Sequence, residues 1–168
     1  PVHQQFSDDE LLAIVGEAGR AERIVAAHCH GKPGIVAALR AGCTTIEHGS
    51  YMDEEAADMM LERQAILVPT RYIMERLIAL GPKMGIPDYA YRKVTAIGDQ
   101  HKRSLQLAIR KGVRIALGTD IWSSGEGTLA PWGQNAQELV HLVEAGMTPL
   151  QAIEAATASG DRGSTTCP

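Results

Sequence analysis

Apolar residues along this chain recur in two rhythms that take turns, one helical and one of short continuous runs. Leu11, Leu12, Ile14, Val15 and Ala18 sit at helical spacing behind Ser7-Asp8-Asp9-Glu10. There Ser7 can accept from a free helix N–H and Glu10 can reach back, which predicts a helix to about Arg20. Arg23 to His28 then reads R-I-V-A-A-H, a short apolar run of the kind a buried parallel strand shows. Gly31-Lys32-Pro33-Gly34 interrupts it, and Ile35, Val36, Ala38 and Leu39 followed by Gly42 predict a short helix with a glycine at its C-terminus. Thr44 to Glu47 is the second strand, stopping at His48.

The alternation continues with a helix over Asp53 to Gln64, its stripe formed by Ala56, Met59, Met60 and Arg63, and a third strand over Ala65 to Val68. Gly81, Pro82, Gly85 and Pro87 mark a loop before a long helix from about Asp88 to Lys111, ended by Gly112. Val113 to Leu117 is the fourth strand, followed by Gly118-Thr119-Asp120 and a Gly/Ser-rich loop through Gly133. Helices over Gln134 to Glu144 and Pro149 to Ala158 close the pattern, the second with Thr148 placed as its cap. Four strands alternating with helices predict an α/β fold with a parallel sheet: four consecutive βα units, half of an eight-stranded barrel. The apolar pattern stops after Thr157, so residues 1–158 read as one domain and 159–168 as a disordered tail.

Composition narrows the function. Sixteen Lys+Arg against 20 Asp+Glu leave a charge of −4, too acidic for a chain that binds phosphate backbones, so no nucleic-acid partner is expected. With 45% hydrophobic residues but only 4% aromatic, the core must be built of Ala, Ile, Leu, Val and Met, which suits helix-covered parallel strands. No uncharged apolar run approaches the ~18 residues of a membrane span. Cys29, Cys43 and Cys167 are odd in number and lack CxxC spacing, which argues against a disulfide framework or a cysteine zinc site and for a reducing, cytoplasmic setting. Four βα units also leave an inner sheet face and two strand edges uncovered, so a homo-oligomer is expected.

Three predicted strands finish on a residue able to bind a metal: His28, His48 and Asp120. Strand C-termini share one rim in parallel α/β folds, so residues far apart in sequence converge there. Alternation would point His30 the same way as His28, with Cys29 opposite, which makes His30 a reserve ligand. Glu47 would be turned away from the rim by the same alternation. Each histidine alone is more often a hydrogen-bonded structural residue, and Asp120 is open to a capping role in the loop that follows it. Gly118 allows close backbone approach and Thr119 can hold a carboxylate, leaving Asp120 to bind a divalent ion or take the proton of an activated water. His101 lies on a helical stripe with Val94, Ile97, Leu105 and Ala108, and His141 also lies on a helix; packing explains both. His3 reads as solvated. Gly125-Glu126-Gly127 lacks the rest of a dinucleotide fingerprint. Tyr51, Arg71, Tyr72 and Trp122 follow strand ends and are open to either packing or recognition.

The segments Val25 to Gly31, Ala41 to Gly49, Leu67 to Thr70, Gly112 to Asp120 and Glu144 to Pro149, with Ala152-Ile153 and Ala156-Thr157, together resemble the second half of the metal-dependent amidohydrolases, in the imidazolonepropionase and Xaa-Pro dipeptidase-like branch. The resemblance implies a (β/α)8 barrel to which this chain supplies the last four strands. It assigns His28 and His48 as metal ligands ending the fifth and sixth strands. Asp120 becomes the aspartate that ends the eighth, binding metal and handling protons. It implies one or two divalent ions, commonly zinc, and hydrolysis of an amide, lactam or dipeptide. The family's first-strand His-x-His pair and fourth-strand carboxylated lysine have no counterpart here, so at most one ion is expected. A non-catalytic half-barrel that pairs with a second copy is the competing expectation.

Overall fold

The computed structural model of the chain describes residues 2–122 and 127–161. Helix α1 spans Asp8–Arg20 and begins on the anticipated capping box: Glu10 N donates to Ser7 Oγ at 3.3 Å and Ser7 N to Glu10 Oε2 at 2.7 Å. No residue of α1 is fully buried, but Leu11, Val15 and Ala18 of its apolar stripe are half-buried and Val15 packs against the core. Strand β1 (Ala26–Cys29) is shorter than the apolar run that announced it. Helix α2 (Lys32–Ala41) starts beside Pro33, buries Ile35 to Leu39, and ends on Gly42 at φ +101°, a left-handed position that glycine takes without a Cβ penalty.

Strand β2 (Thr45–His48) and helix α3 (Glu54–Glu62) follow, with Asp53 Oδ1 accepting from Ala56 N at 3.1 Å to cap the helix. Strand β3 (Ile66–Val68) leads into helix α4 (Arg71–Leu80), which the hydrophobic pattern did not announce. A short 3-10 helix at Gly81–Met84 joins α4 to the long α5 (Asp88–Lys111), and then comes β4 (Arg114–Ile115). The fourth strand is shorter than expected because Ala116 N still donates to Leu67 O, but Leu117 N turns to Ala155 O at 2.9 Å, out of the ladder. Helices α6 (Gln137–Glu144), α7 (Pro149–Ala156) and α8 (Ala158–Asp161) complete the described chain. Residues 159–161 of the anticipated tail therefore belong to α8. Residues 162–168, and Gly125 and Glu126 of the Gly-x-Gly, lie outside the described residues.

The four strands form one parallel sheet in the order β1-β2-β3-β4, as consecutive βα units require. Its helix-side face carries the core, where Ile46 and Leu67 meet Ile35 and Leu39 of α2, Met60 of α3 and Leu105 of α5. Among the described residues that core contains no aromatic side chain, in line with the composition, and Tyr72 is buried in a smaller cluster with Ile73 and Ala130. A Cβ at Gly118 would run into Val68 Cγ1. The chain after β4 passes that close to β3.

Candidate metal centre

His28 lies within β1 and His30 just beyond it, and the registers pair His28 with Glu47 and Cys29 with His48. Partners in a parallel register share a face, so regular alternation would give Glu47, not His48, to the face of His28. His48 escapes that rule through its backbone, which is left-handed at φ +70° and ends the pleat there. Its Nε2 lies 2.9 Å from Nδ1 of His28. The expectation that Glu47 points away from the rim is thus corrected. It shares His28's face, its carboxyl is raised above the usual range chiefly by burial, and the charges of Asp120 and His28 both act on it.

The three imidazoles of His28, His30 and His48 are packed together, with ring centroids 4.5 Å apart for His28–His48, 4.7 Å for His30–His48 and 5.0 Å for His28–His30. One nitrogen from each lies within 4.8 Å of the other two. Two rings are steadied from behind: Nδ1 of His30 shares a hydrogen bond with Ser50 Oγ at 2.8 Å, and Nδ1 of His48 with Thr70 Oγ1 at 2.7 Å. Burial, reinforced by neighbouring histidines, pulls His48 down to about 3 and His30 to about 4. Both rings are neutral at pH 7, the form that offers a lone pair to a cation. Cys29 points to the core side, with its thiol pushed up to about 11 mainly by burial.

Asp120 stands outside this trio. It follows the turn out of β4, is exposed, and has a left-handed backbone at φ +53°. Burial of its carboxyl raises its pKa, and the charge of His28 pulls the other way, so the two groups sense each other. Thr119 does not hold the Asp120 carboxylate; its hydroxyl accepts from Asn135 Nδ2 at 3.3 Å. His30, ranked in sequence behind Asp120, is the residue that joins His28 and His48. A cavity of about 270 Å³ opens beside the trio along β1, lined by His28, His30, Val25, Phe6, Leu11 and Ile14 among others.

Behind the rim lies a polar cluster that the sequence did not reveal. Arg71 and Tyr72, open in sequence to packing or recognition, are only 5% and 3% exposed, whereas Trp122 is 55% exposed. Arg71 NH1 donates to Gly98 O at 2.7 Å and approaches Nδ1 of His101 at 3.2 Å, while NH2 pairs with Glu75. His101 is packed, as its helical stripe implied, but it also binds Pro69 O through Nε2 at 2.7 Å. Glu138, fully buried, accepts from the backbone N–H groups of Arg71 and Tyr72. The one available signal was an acidic residue on the buried stripe of α6, where Glu138 and Leu142 are four residues apart.

Residues 1–162 match the model of the amidohydrolase family. The chain belongs to the amidohydrolase family. It is 47% identical over 160 residues to the ochratoxinase of Aspergillus niger, covering 95% of this chain and 32% of that protein. The crystal structure of A. niger ochratoxinase superposes with a TM-score of 0.87 at 46% identity, over 97% of this chain and 36% of that one. The crystal structure of a Xaa-Pro dipeptidase with methionine bound in its active site gives a TM-score of 0.82 at 35% identity, over 94% and 38%. The chain thus spans about a third of the length of the curated relatives it matches, and its four parallel strands correspond to part of their barrel.

Proposed function

We propose that this amidohydrolase-family chain carries the metal-binding part of a hydrolase that cleaves C–N bonds in an amide, lactam or dipeptide-like substrate. The observation that carries the proposal is the trio His28, His30 and His48, with one nitrogen of each within 4.8 Å of the others. The donor set fits a divalent ion of the zinc type: three imidazoles, of which His30 and His48 are kept neutral by burial and backed by hydroxyl partners. His28 and His48, with His30 completing the set, would hold it. Such an ion, when bound, supplies a Lewis acid and lowers the pKa of water.

The remaining chemistry is the chain's own. Asp120, on the exposed turn after β4 and within reach of the charge of His28, is the residue to take a proton at its carboxylate and pass it to the leaving nitrogen. Its raised pKa brings it nearer to that task. Glu47 shares the face of His28 and can assist by its charge. A second reading has one observation in its favour: β1 pairs only with β2, and β4 only with β3, among the described residues. Those edges fit a chain that completes its sheet against a second copy.

The test is metal content with matched variants. The purified chain should hold about one zinc per chain, the three imidazoles plus water that a catalytic site uses. His28→Ala combined with His48→Ala should lose it while circular dichroism stays that of the folded chain. Zinc retained at parental affinity by the double variant would place the site elsewhere. With hydrolysis measured, Asp120→Asn should lower kcat by about 10² to 10⁴ with most of the metal kept.

A further inference from the structure

Thr70 occupies the capping position of α4, where a threonine hydroxyl ordinarily accepts from an N–H of the first turn. It makes no such bond. Its hydroxyl faces Nδ1 of His48 at 2.7 Å instead. The backbone at Thr70 is left-handed, φ +54° and ψ +44°, a conformation a β-branched residue avoids and holds only when its surroundings enforce it.

Those surroundings are specific. The two N–H groups that follow Thr70 both end on one carboxylate, Arg71 N on Glu138 Oε1 at 2.8 Å and Tyr72 N on Glu138 Oε2 at 2.6 Å. Glu138 therefore performs, from α6, the capping that Thr70 has given up. On the other side, the Pro69 carbonyl accepts from Nε2 of His101. That fixes the proton of His101 on Nε2 and leaves Nδ1 to accept from Arg71 NH1, which also holds Gly98 O. The Pro69 carbonyl before Thr70 and the Arg71 and Tyr72 N–H groups after it are thus each held by a buried side chain.

We propose that Glu138, Arg71 and His101 are positioning residues for His48, acting through Thr70: they cap α4 and clamp its entry so that the Thr70 hydroxyl stays free to fix the His48 ring. With the His48 Nδ1 proton donated to Thr70, the Nε2 lone pair is presented to the histidine trio. The inference rests on the metal-centre reading for its consequence, not for its geometry.

The experiment has two readouts on one set of variants. In the metal-free chain, the ring-nitrogen NMR signals of His48 report where the ring proton sits. In the zinc-titrated chain, chelator competition reports affinity. Thr70→Val should scramble the His48 signal and weaken zinc about tenfold to a hundredfold, as loss of a partner behind a metal-ligating histidine does, and Thr70→Ser should restore both. Glu138→Gln puts an NH₂ against a backbone N–H. It should reproduce the Thr70→Val loss in the parent and add little when Thr70 is already Val. Should Glu138→Gln not fold, Arg71→Lys reads the same coupling from the other side of Thr70. A cap with no positioning role would lower the melting temperature equally in both backgrounds and leave the His48 signal alone; that result overturns the proposal. If the parent chain binds no zinc, the metal reading fails by itself, and the His48 signal still decides the positioning role.

Discussion

Acidifying the metal-free chain from pH 7 to pH 5 should destabilise it, and the structure gives the size. His48, His30 and His101 are held at about 3, 4 and 4 against an ordinary 6.5, in each case first by burial. In that window the unfolded chain takes up protons on these rings and the folded chain does not, so stability is lost as pH falls. At 1.36 kcal/mol per pK unit, each fully counted ring loses about 2 kcal/mol over the two units, and His30, which water reaches, about half that. Glu138 works in the opposite direction. Its carboxyl is pushed up to about 7 by burial against the pull of its N–H donors and Arg71, so the folded chain gains a proton there first and recovers roughly 2 kcal/mol. Glu47 and Asp120, both raised, add to the recovery. The net loss is therefore about 2–3 kcal/mol, a fall in melting temperature of roughly 5–10 °C for a domain of this size. Thermal unfolding by circular dichroism in chelator at pH 7, 6 and 5 measures it. A melting temperature that holds or rises toward pH 5 would mean the rings are not buried as neutral groups, and the electrostatic account of the trio would fall with them.

Two further outcomes follow from the fold. Gly118→Ala should cost about 1–3 kcal/mol, read as a lower melting temperature, because its new methyl would force Val68 and the third strand aside; an unchanged melting temperature would show that the approach to β3 is loose. Sedimentation of the 168-residue chain at micromolar concentration should show a dimer or larger species if the open edges of β1 and β4 are completed by a second copy, and a single monomeric boundary would refute that pairing.

The element order was readable wherever local chemistry and periodicity agreed. The Ser7 capping box, the Gly42 and Gly112 helix ends and the span Asp88–Lys111 all appear in the structure as the sequence implied. Helix α4 was not readable. Its buried positions, Arg71 to Met74, are consecutive rather than periodic, and its cap comes from Glu138, 66 and 67 residues away, which no local pattern can show. The site was legible as residue types at strand ends, and His28 and His48 do meet. Alternation placed His30 on the side of His28, where the structure has it, but it assigned the wrong face to Glu47, because His48, from which that face was counted, has left the pleat at φ +70° while Glu47 stays in register with His28.

The point where the pleat ends is marked by backbone handedness. Among the described non-glycine residues, positive φ occurs at Glu22, Gln64, His48, Thr70 and Asp120. Glu22 and Gln64 lie in turns between a helix and the next strand. The other three lie where the chain leaves β2, β3 and β4, and they are a candidate ligand, its hydrogen-bond partner and the candidate proton carrier. Glycine would relieve the strain at each, as it does at Gly42 and Gly112, where the chain needs only a turn. At the rim a left-handed residue achieves something a glycine cannot. It breaks the alternation that would otherwise send the last side chain into the helix layer, and turns an imidazole or hydroxyl across the strand ends toward its neighbours. The strain and the convergence of the polar groups thus arise from the same few backbone angles, so the site's geometry depends on whatever enforces those angles as much as on the ligands themselves.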